Sequence, residues 1–168
     1  MATKIGINGF GRIGRNVFRV LATTDTDIEV VAINDLIPPA TLAHLLKYDS
    51  VMGRFPGKVE ATDNAIIVDG KTIVVSAEKD PADIDWAGAD VEIVLESTGF
   101  FRDREGIEKH LAGGAKKVLL SVPSKAPEDV PKTTDARKVL KAGDVVWASL
   151  LEPVPLSQGE KKPVLFLT

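Results

Sequence analysis

Short apolar runs rich in β-branched residues alternate along the chain with stretches whose apolar positions recur at helical spacing. Lys4–Asn8 (KIGIN) reads as a short buried strand, and Arg12–Ala22 puts Ile13, Val17, Val20 and Leu21 on one helical face. Glu29–Asn34 (EVVAIN) is a second run of strand length. Pro38-Pro39 opens a segment in which Leu42, Leu45 and Leu46 predict a helix, with Pro39 suited to its first turn. From Lys58, KVEATDNAIIVDGKTIVVS holds two β-rich runs around Asp69-Gly70, the strongest short hairpin signal in the chain. Val91–Ser97 (VEIVLES) is another buried strand. A helical stretch, Arg102–Ala112, follows and is closed by Gly113-Gly114, and then comes the strand Lys117–Ser121 (KVLLS). This order predicts an α/β fold with a parallel sheet and an antiparallel insertion.

Beyond Ser124 the pattern changes. Lys125–Asp144 is rich in Pro, Lys and Asp, with a short helix at Asp135–Leu140. Asp144–Leu151 and Pro163–Thr168 read as strands on either side of a Pro/Gly/Lys turn region. The division this suggests is a unit over residues 1–125 and a β-rich segment over 126–168. That segment either completes the sheet or forms a small module of its own.

Composition narrows the function classes. At 168 residues, 44% hydrophobic and 27% charged, the chain has the balance of a globular protein with a real core. A net charge of -3 argues against a nucleic acid or an acidic membrane held by bulk electrostatics. With no cysteine, disulfides, thiolate metal sites and a cysteine nucleophile are all excluded. His44 and His110 fall in helical stretches without partners at ligand spacing, so they read as surface or core-edge residues and no metal site is expected. No apolar run approaches the ~20 residues of a membrane span, and the start lacks a long apolar leader core, so a cytoplasmic location is expected.

The candidate chemistry lies at the first strand-to-helix junction. Gly9, Gly11 and Gly14 make a G-x-G-x-x-G pattern between a strand ending at Asn8 and a helix starting by Arg12. In that context the first glycine permits the tight turn and the second lets backbone approach a pyrophosphate. The third lets helix and strand pack closely. The N–H groups at the helix start then face an anion with the positive end of the dipole. Asp35, closing the second strand, stands where a carboxylate would take the hydroxyls of the adenosine ribose and repel a 2′-phosphate. Leu36 and Ile37 add no cation there, which favours NAD over NADP. Arg12 reads as a backbone donor with some electrostatic help, and Arg15 as structural. The fold expected is a Rossmann-type doubly wound parallel sheet with a hairpin insertion.

INGFGRIGR followed by the VAIND strand end resembles the start of the glyceraldehyde-3-phosphate dehydrogenase family. The similarity continues through LLKYDSVMGRFPG, VSAEKDPADIDW, VLESTGFF and AGGAKKVLLSVPSK. The resemblance implies that Gly9, Phe10, Gly11, Arg12 and Ile13 line the pyrophosphate and that Asp35 holds the adenosine ribose. It also implies that Glu78 and Lys79 flank the adenine, and that Ser97, Thr98, Gly99 and Phe101 border the nicotinamide-side ribose with Ser121 nearby. Phe10 and Phe101 read equally as core aromatics, and Lys79 as a solvated charge.

The pattern then breaks. The family attacks its aldehyde with a cysteine in a Ser-Cys-Thr-Thr-Asn motif, activated by a histidine of the following domain. Here Trp147–Pro153 stands in that place and Leu150 falls where the thiol would be. A leucine is no nucleophile. The expectation is therefore a chain that binds NAD, has no catalytic residues of its own and does not turn the cofactor over. Its last strands either cover a sheet edge or self-associate. A chimeric or remnant interaction protein that keeps the fold is the alternative.

Overall fold

The computed structural model describes residues 2–125 and two further strand segments, 132–133 and 145–148. Strand β1 (Thr3–Asn8) leads through a glycine loop into helix α1 (Arg12–Thr23), then β2 (Ile28–Asn34) and α2 (Pro39–Lys47). A two-stranded ribbon, β3 (Tyr48–Asp49) and β4 (Gly53–Arg54), precedes a meander of β5 (Val59–Ala61), β6 (Ala65–Val68) and β7 (Lys71–Ser76). A 3-10 turn at Pro81–Asp83 leads to β8 (Ile93–Glu96), α3 (Arg104–Ala112) and β9 (Lys117–Leu120). The remaining described strands are β10 (Lys132–Thr133) and β11 (Val145–Ala148).

Nine of these strands form one sheet in the order β10-β11-β9-β8-β1-β2-β7-β6-β5. It is parallel from β10 to β7 and antiparallel through β6 and β5, so the predicted parallel sheet with an antiparallel insertion is what the chain builds. The hairpin turns where Asp69-Gly70 predicts it. Both residues have positive φ, 49° and 83°, the pairing of a type I′ turn that matches strand twist. Sequence periodicity predicts two runs; the structure has three strands, and β7 joins β2 in parallel, so the insertion extends the main sheet. The β3–β4 ribbon and the 3-10 turn carry no periodic signal and are seen only in the structure. Helix α3 starts two residues later than its spacing predicts, because Asp103 takes the cap position and accepts the Gly106 N–H at 3.0 Å.

Alternation along the strands divides the core. Ile7, Ile33 and Leu95 face α1 and α2, meeting Val17, Phe18, Leu42 and Leu46. Ala32 and Val94 face the other way, onto Trp86, and Val118 and Leu120 onto Ile107 of α3. Both faces are covered, which is why these strands read as nearly continuous apolar runs. Within the C-terminal segment β11 pairs with β9, Val146 opposite Leu119, where a strand was expected over 144–151. The helix expected at 135–140 and the strand expected at 163–168 lie outside the described residues.

Candidate functional site

Strands β7, β2, β1, β8 and β9 run parallel and so end on one edge of the sheet. The chain winds outward from β1 to β2 on one side and to β8 and β9 on the other, and a crevice opens at such a switch point. The three glycines sit there for three different reasons. Gly9 has φ +89°, and a Cβ on it would lie 2.8 Å from the Thr98 amide nitrogen. A Cβ on Gly14 would lie 2.3 Å from the Gly9 carbonyl oxygen, so its absence lets α1 rest on the loop. A Cβ on Gly11 would meet nothing within 4 Å. Gly11 also stands at the N-terminal cap position of α1, where it offers no side-chain cap, and the first turn holds no acidic residue. The helix start therefore keeps its N–H groups and positive dipole end for an outside anion.

Around this loop, Arg12 is exposed and Ile13 half-buried. The Arg15 guanidinium donates to the Phe10 carbonyl at 2.9 Å, a structural bond as its sequence position suggested. Burial holds the Arg15 pKa below its usual range. The Phe10 ring is fully buried and meets Phe18 edge-on at 5.8 Å, so the ring belongs to the core and only its backbone faces the loop's function. Asp35 ties the second strand to the loop: its Oδ2 accepts the Phe10 N–H at 2.7 Å and its Oδ1 the Ile37 N–H at 3.0 Å. Each oxygen keeps a further acceptor position. Glu78 and Lys79 are exposed just past β7, and the Glu78 backbone is held against Asn34.

On the far side of the switch point, Ser97 Oγ donates towards the Gly9 and Asn8 carbonyls at 2.6 and 3.0 Å. Thr98 is half-buried, and Gly99 turns the chain outward with φ +77°. Phe101 packs against Ile107, Val118 and Leu120, with its ring 6.5 Å from that of His110. Ser121 follows β9; its Oγ is buried and has no hydrogen-bond partner among the described residues. All the predicted residues thus gather along one sheet edge, from Glu78 on the β7 side to Ser121 on the β9 side.

Periodicity missed what lies beneath them. Asn8, Asn34 and Glu96 are buried polar residues at the ends of adjacent strands, in register with one another, and Ser76 continues the row. The signal was present as a polar residue closing each apolar run. His110 corrects the sequence reading: it is not at the surface or core edge but fully buried, its Nε2 2.9 Å from Glu96 Oε2. The apolar helical face that hid it is the face turned to the sheet. His44 is exposed, as expected. Among the described residues no group of three or more His, Cys, Asp or Glu could hold a metal ion, and no helix is long and apolar enough to cross a membrane.

A doubly wound sheet with an uncapped glycine-loop helix at its switch point, and an acid closing the next strand, defines a dinucleotide-binding domain of the Rossmann type. The sequence profile described as "Glyceraldehyde 3-phosphate dehydrogenase, NAD binding domain" matches residues 3–104, and the chain belongs to that family. NAD is accordingly the cofactor of this domain. Curated relatives include glyceraldehyde-3-phosphate dehydrogenases of Streptomyces coelicolor, 57% identical over 130 residues, and Thermotoga maritima, 58% identical over 128 residues. That of Geobacillus stearothermophilus is 58% identical over 125 residues. These matches cover 74–77% of this chain but only 37–38% of each relative, so the chain spans well under half their length.

Proposed function

We propose that the chain grips NAD along the carboxyl edge of its sheet and does not itself reduce it. The backbone of Gly9, Phe10, Gly11, Arg12 and Ile13 takes the pyrophosphate, and Asp35 the adenosine ribose. Glu78 and Lys79 flank the adenine, while Ser97, Thr98, Gly99 and Phe101 border the nicotinamide-side ribose beside Ser121. The observation that carries this reading is the open space over Gly11 at an uncapped helix start, next to an acid bonded into the same loop. The buried Ser121 Oγ, without a partner among the described residues, supports the nicotinamide end.

NAD, when bound, supplies a hydride acceptor. The chain's residues orient it: α1 places positive partial charge at the pyrophosphate, and Asp35 disfavours a 2′-phosphate. The 168 residues contain no cysteine, so the thiol implied by the family resemblance is not among them. Turnover of an aldehyde would need a nucleophile and base from elsewhere. We further read residues 1–125 as the binding unit, and the pairing of β11 with β9 supports a C-terminal segment that extends its sheet.

Titration calorimetry tests the reading. Saturable NAD binding is expected, weaker by tenfold or more in Asp35→Ala, with NADP bound less tightly than NAD by the wild-type chain. Absence of heat at millimolar NAD would overturn it.

A further inference from the structure

A buried hydrogen-bond chain crosses the sheet beneath the site, and its polarity is set from both ends. At one end the Glu78 backbone fixes Asn34: the Glu78 N–H donates to Asn34 Oδ1 at 2.8 Å, and Asn34 Nδ2 donates to the Glu78 carbonyl at 2.9 Å. The remaining Asn34 N–H donates to Asn8 Oδ1 at 2.8 Å, so Asn8 must present its own amide nitrogen to Glu96 Oε2, 2.6 Å away. At the other end the Trp86 indole, which can only donate, gives its N–H to His110 Nδ1 at 3.1 Å. His110 therefore carries its proton on Nε2 and donates to the same Glu96 oxygen at 2.9 Å. Glu96 Oε1 accepts the Thr98 N–H at 2.8 Å and the Thr98 hydroxyl. Four donors from three residues converge on one fully buried carboxyl group, which no apolar packing requirement explains.

We propose that Glu96 is a positioning residue for both halves of the dinucleotide site, holding Thr98 directly and the Glu78 turn through Asn8 and Asn34. This rests on the NAD reading above. The side-chain row runs at right angles to the strands, through registered neighbours, so a shift at Glu96 is passed sideways and not along the chain. An amide at position 96 cannot replace the carboxylate. Turned one way its NH2 meets the Asn8 and His110 donors; turned the other it meets the Thr98 N–H. Asn8 cannot flip without losing Asn34, and His110 cannot change tautomer without losing Trp86.

The test compares the wild-type chain with Glu96→Gln and Ile66→Ala by NMR, ligand titration and thermal melting. In the wild-type chain, long-range proton–nitrogen NMR is expected to show His110 protonated at Nε2; protonation at Nδ1 would overturn the proposal. In Glu96→Gln the backbone amide signals of both Thr98 and Glu78 are expected to move. Affinity should fall tenfold or more for NAD and fall for AMP and nicotinamide mononucleotide alike. Ile66→Ala, a buried change in β6, lowers the melting temperature but should leave both amides in place and NAD affinity within twofold. An unmoved Glu78 amide, a loss confined to the nicotinamide half, or NAD binding within twofold of wild type would each overturn the proposal. If Glu96→Gln does not fold, Thr98→Val removes one donor and is expected to shift the Glu78 amide with a severalfold affinity loss; no shift overturns the linkage. A wild-type chain that fails to bind NAD refutes the functional reading, while the tautomer and the two amides still judge the network.

Discussion

Replacing Gly11 and Gly14 separately by alanine divides what the glycine loop does for the fold from what it does for a ligand. At Gly11, φ is -70° and ψ -156°, an extended conformation open to alanine, and the added Cβ meets no atom of the described residues within 4 Å. Lower entropy of the unfolded chain favours the alanine by about 0.4–1 kcal/mol. The poorer capping of alanine opposes it by about 0.5–1 kcal/mol. Stability should therefore change by no more than about 0.5 kcal/mol. At Gly14 the helix interior favours alanine by up to about 1 kcal/mol. Its Cβ, however, would lie 2.3 Å from the Gly9 carbonyl oxygen, which is backbone and itself receives Ser97 Oγ. Relieving such a contact costs about 1–3 kcal/mol, so Gly14→Ala should be destabilising on balance. Cofactor binding should follow the opposite order. The Gly11 Cβ occupies the space a pyrophosphate needs, so affinity should fall by at least about 1.4 kcal/mol, a factor of ten. Urea unfolding and NAD titration of both variants check this. A Gly11→Ala chain that binds NAD like wild type would refute the placement of the pyrophosphate, and a clearly unstable one would refute the packing argument.

Two further outcomes follow from the loops and ion pairs. Gly70→Ala should lower stability by about 1–2 kcal/mol from its left-handed backbone alone, since φ is +83° and no atom lies within 4 Å of the new Cβ; an unchanged urea midpoint would contradict this. Asp80 is held below the usual carboxylate range, first by the Ala82 N–H and then by Lys109, whose own pKa Asp80 raises. A depressed carboxylate stabilises the fold above its unfolded pKa near ~4 and loses that contribution as pH falls through the folded value; a raised lysine stabilises below ~10.4 and loses its contribution above. The urea-midpoint difference between wild type and Asp80→Asn should thus be constant between about pH 5 and 9 and shrink at both extremes. It should be small and salt-sensitive, because the pair is exposed.

Elements made by repetition were legible in the sequence, and those made by one local bond were not. β1, α1 and β2 follow from periodicity, and the Asp69-Gly70 turn follows from turn chemistry, because each pattern involves only near neighbours. The α3 start shifted by two residues because one side-chain bond from Asp103 outweighs helical spacing. The candidate site divided along the same line. Gly9, Gly11, Gly14 and Asp35 sit in a motif with fixed spacing, so their gathering was predictable. Glu96 and His110 are 14 residues apart and meet only because α3 packs on β9, the strand beside β8, a contact that no local window contains.

That hidden contact bears on why the edge can serve as a site at all. A parallel ladder ends by leaving backbone groups without strand partners, and at a buried edge those groups need substitutes. Here the substitutes are partly backbone: Gly9 N–H to the Asn34 carbonyl, Asp35 N–H to the Ser76 carbonyl, and Ser97 N–H to the Asn8 carbonyl. The last registered row adds side chains, with Ser76 Oγ donating to Asn34 Oδ1 at 2.9 Å and the chain continuing through Asn8 to Glu96. An apolar row there would give the loops above it nothing directional to hold them. With the polar row, each loop is pinned by a donor or acceptor of fixed sense, while the N–H groups at the start of α1 are left without a side-chain cap. The groups withheld from internal bonding are the ones an anionic ligand can use, and the surrounding groups are satisfied closely enough to keep them aimed.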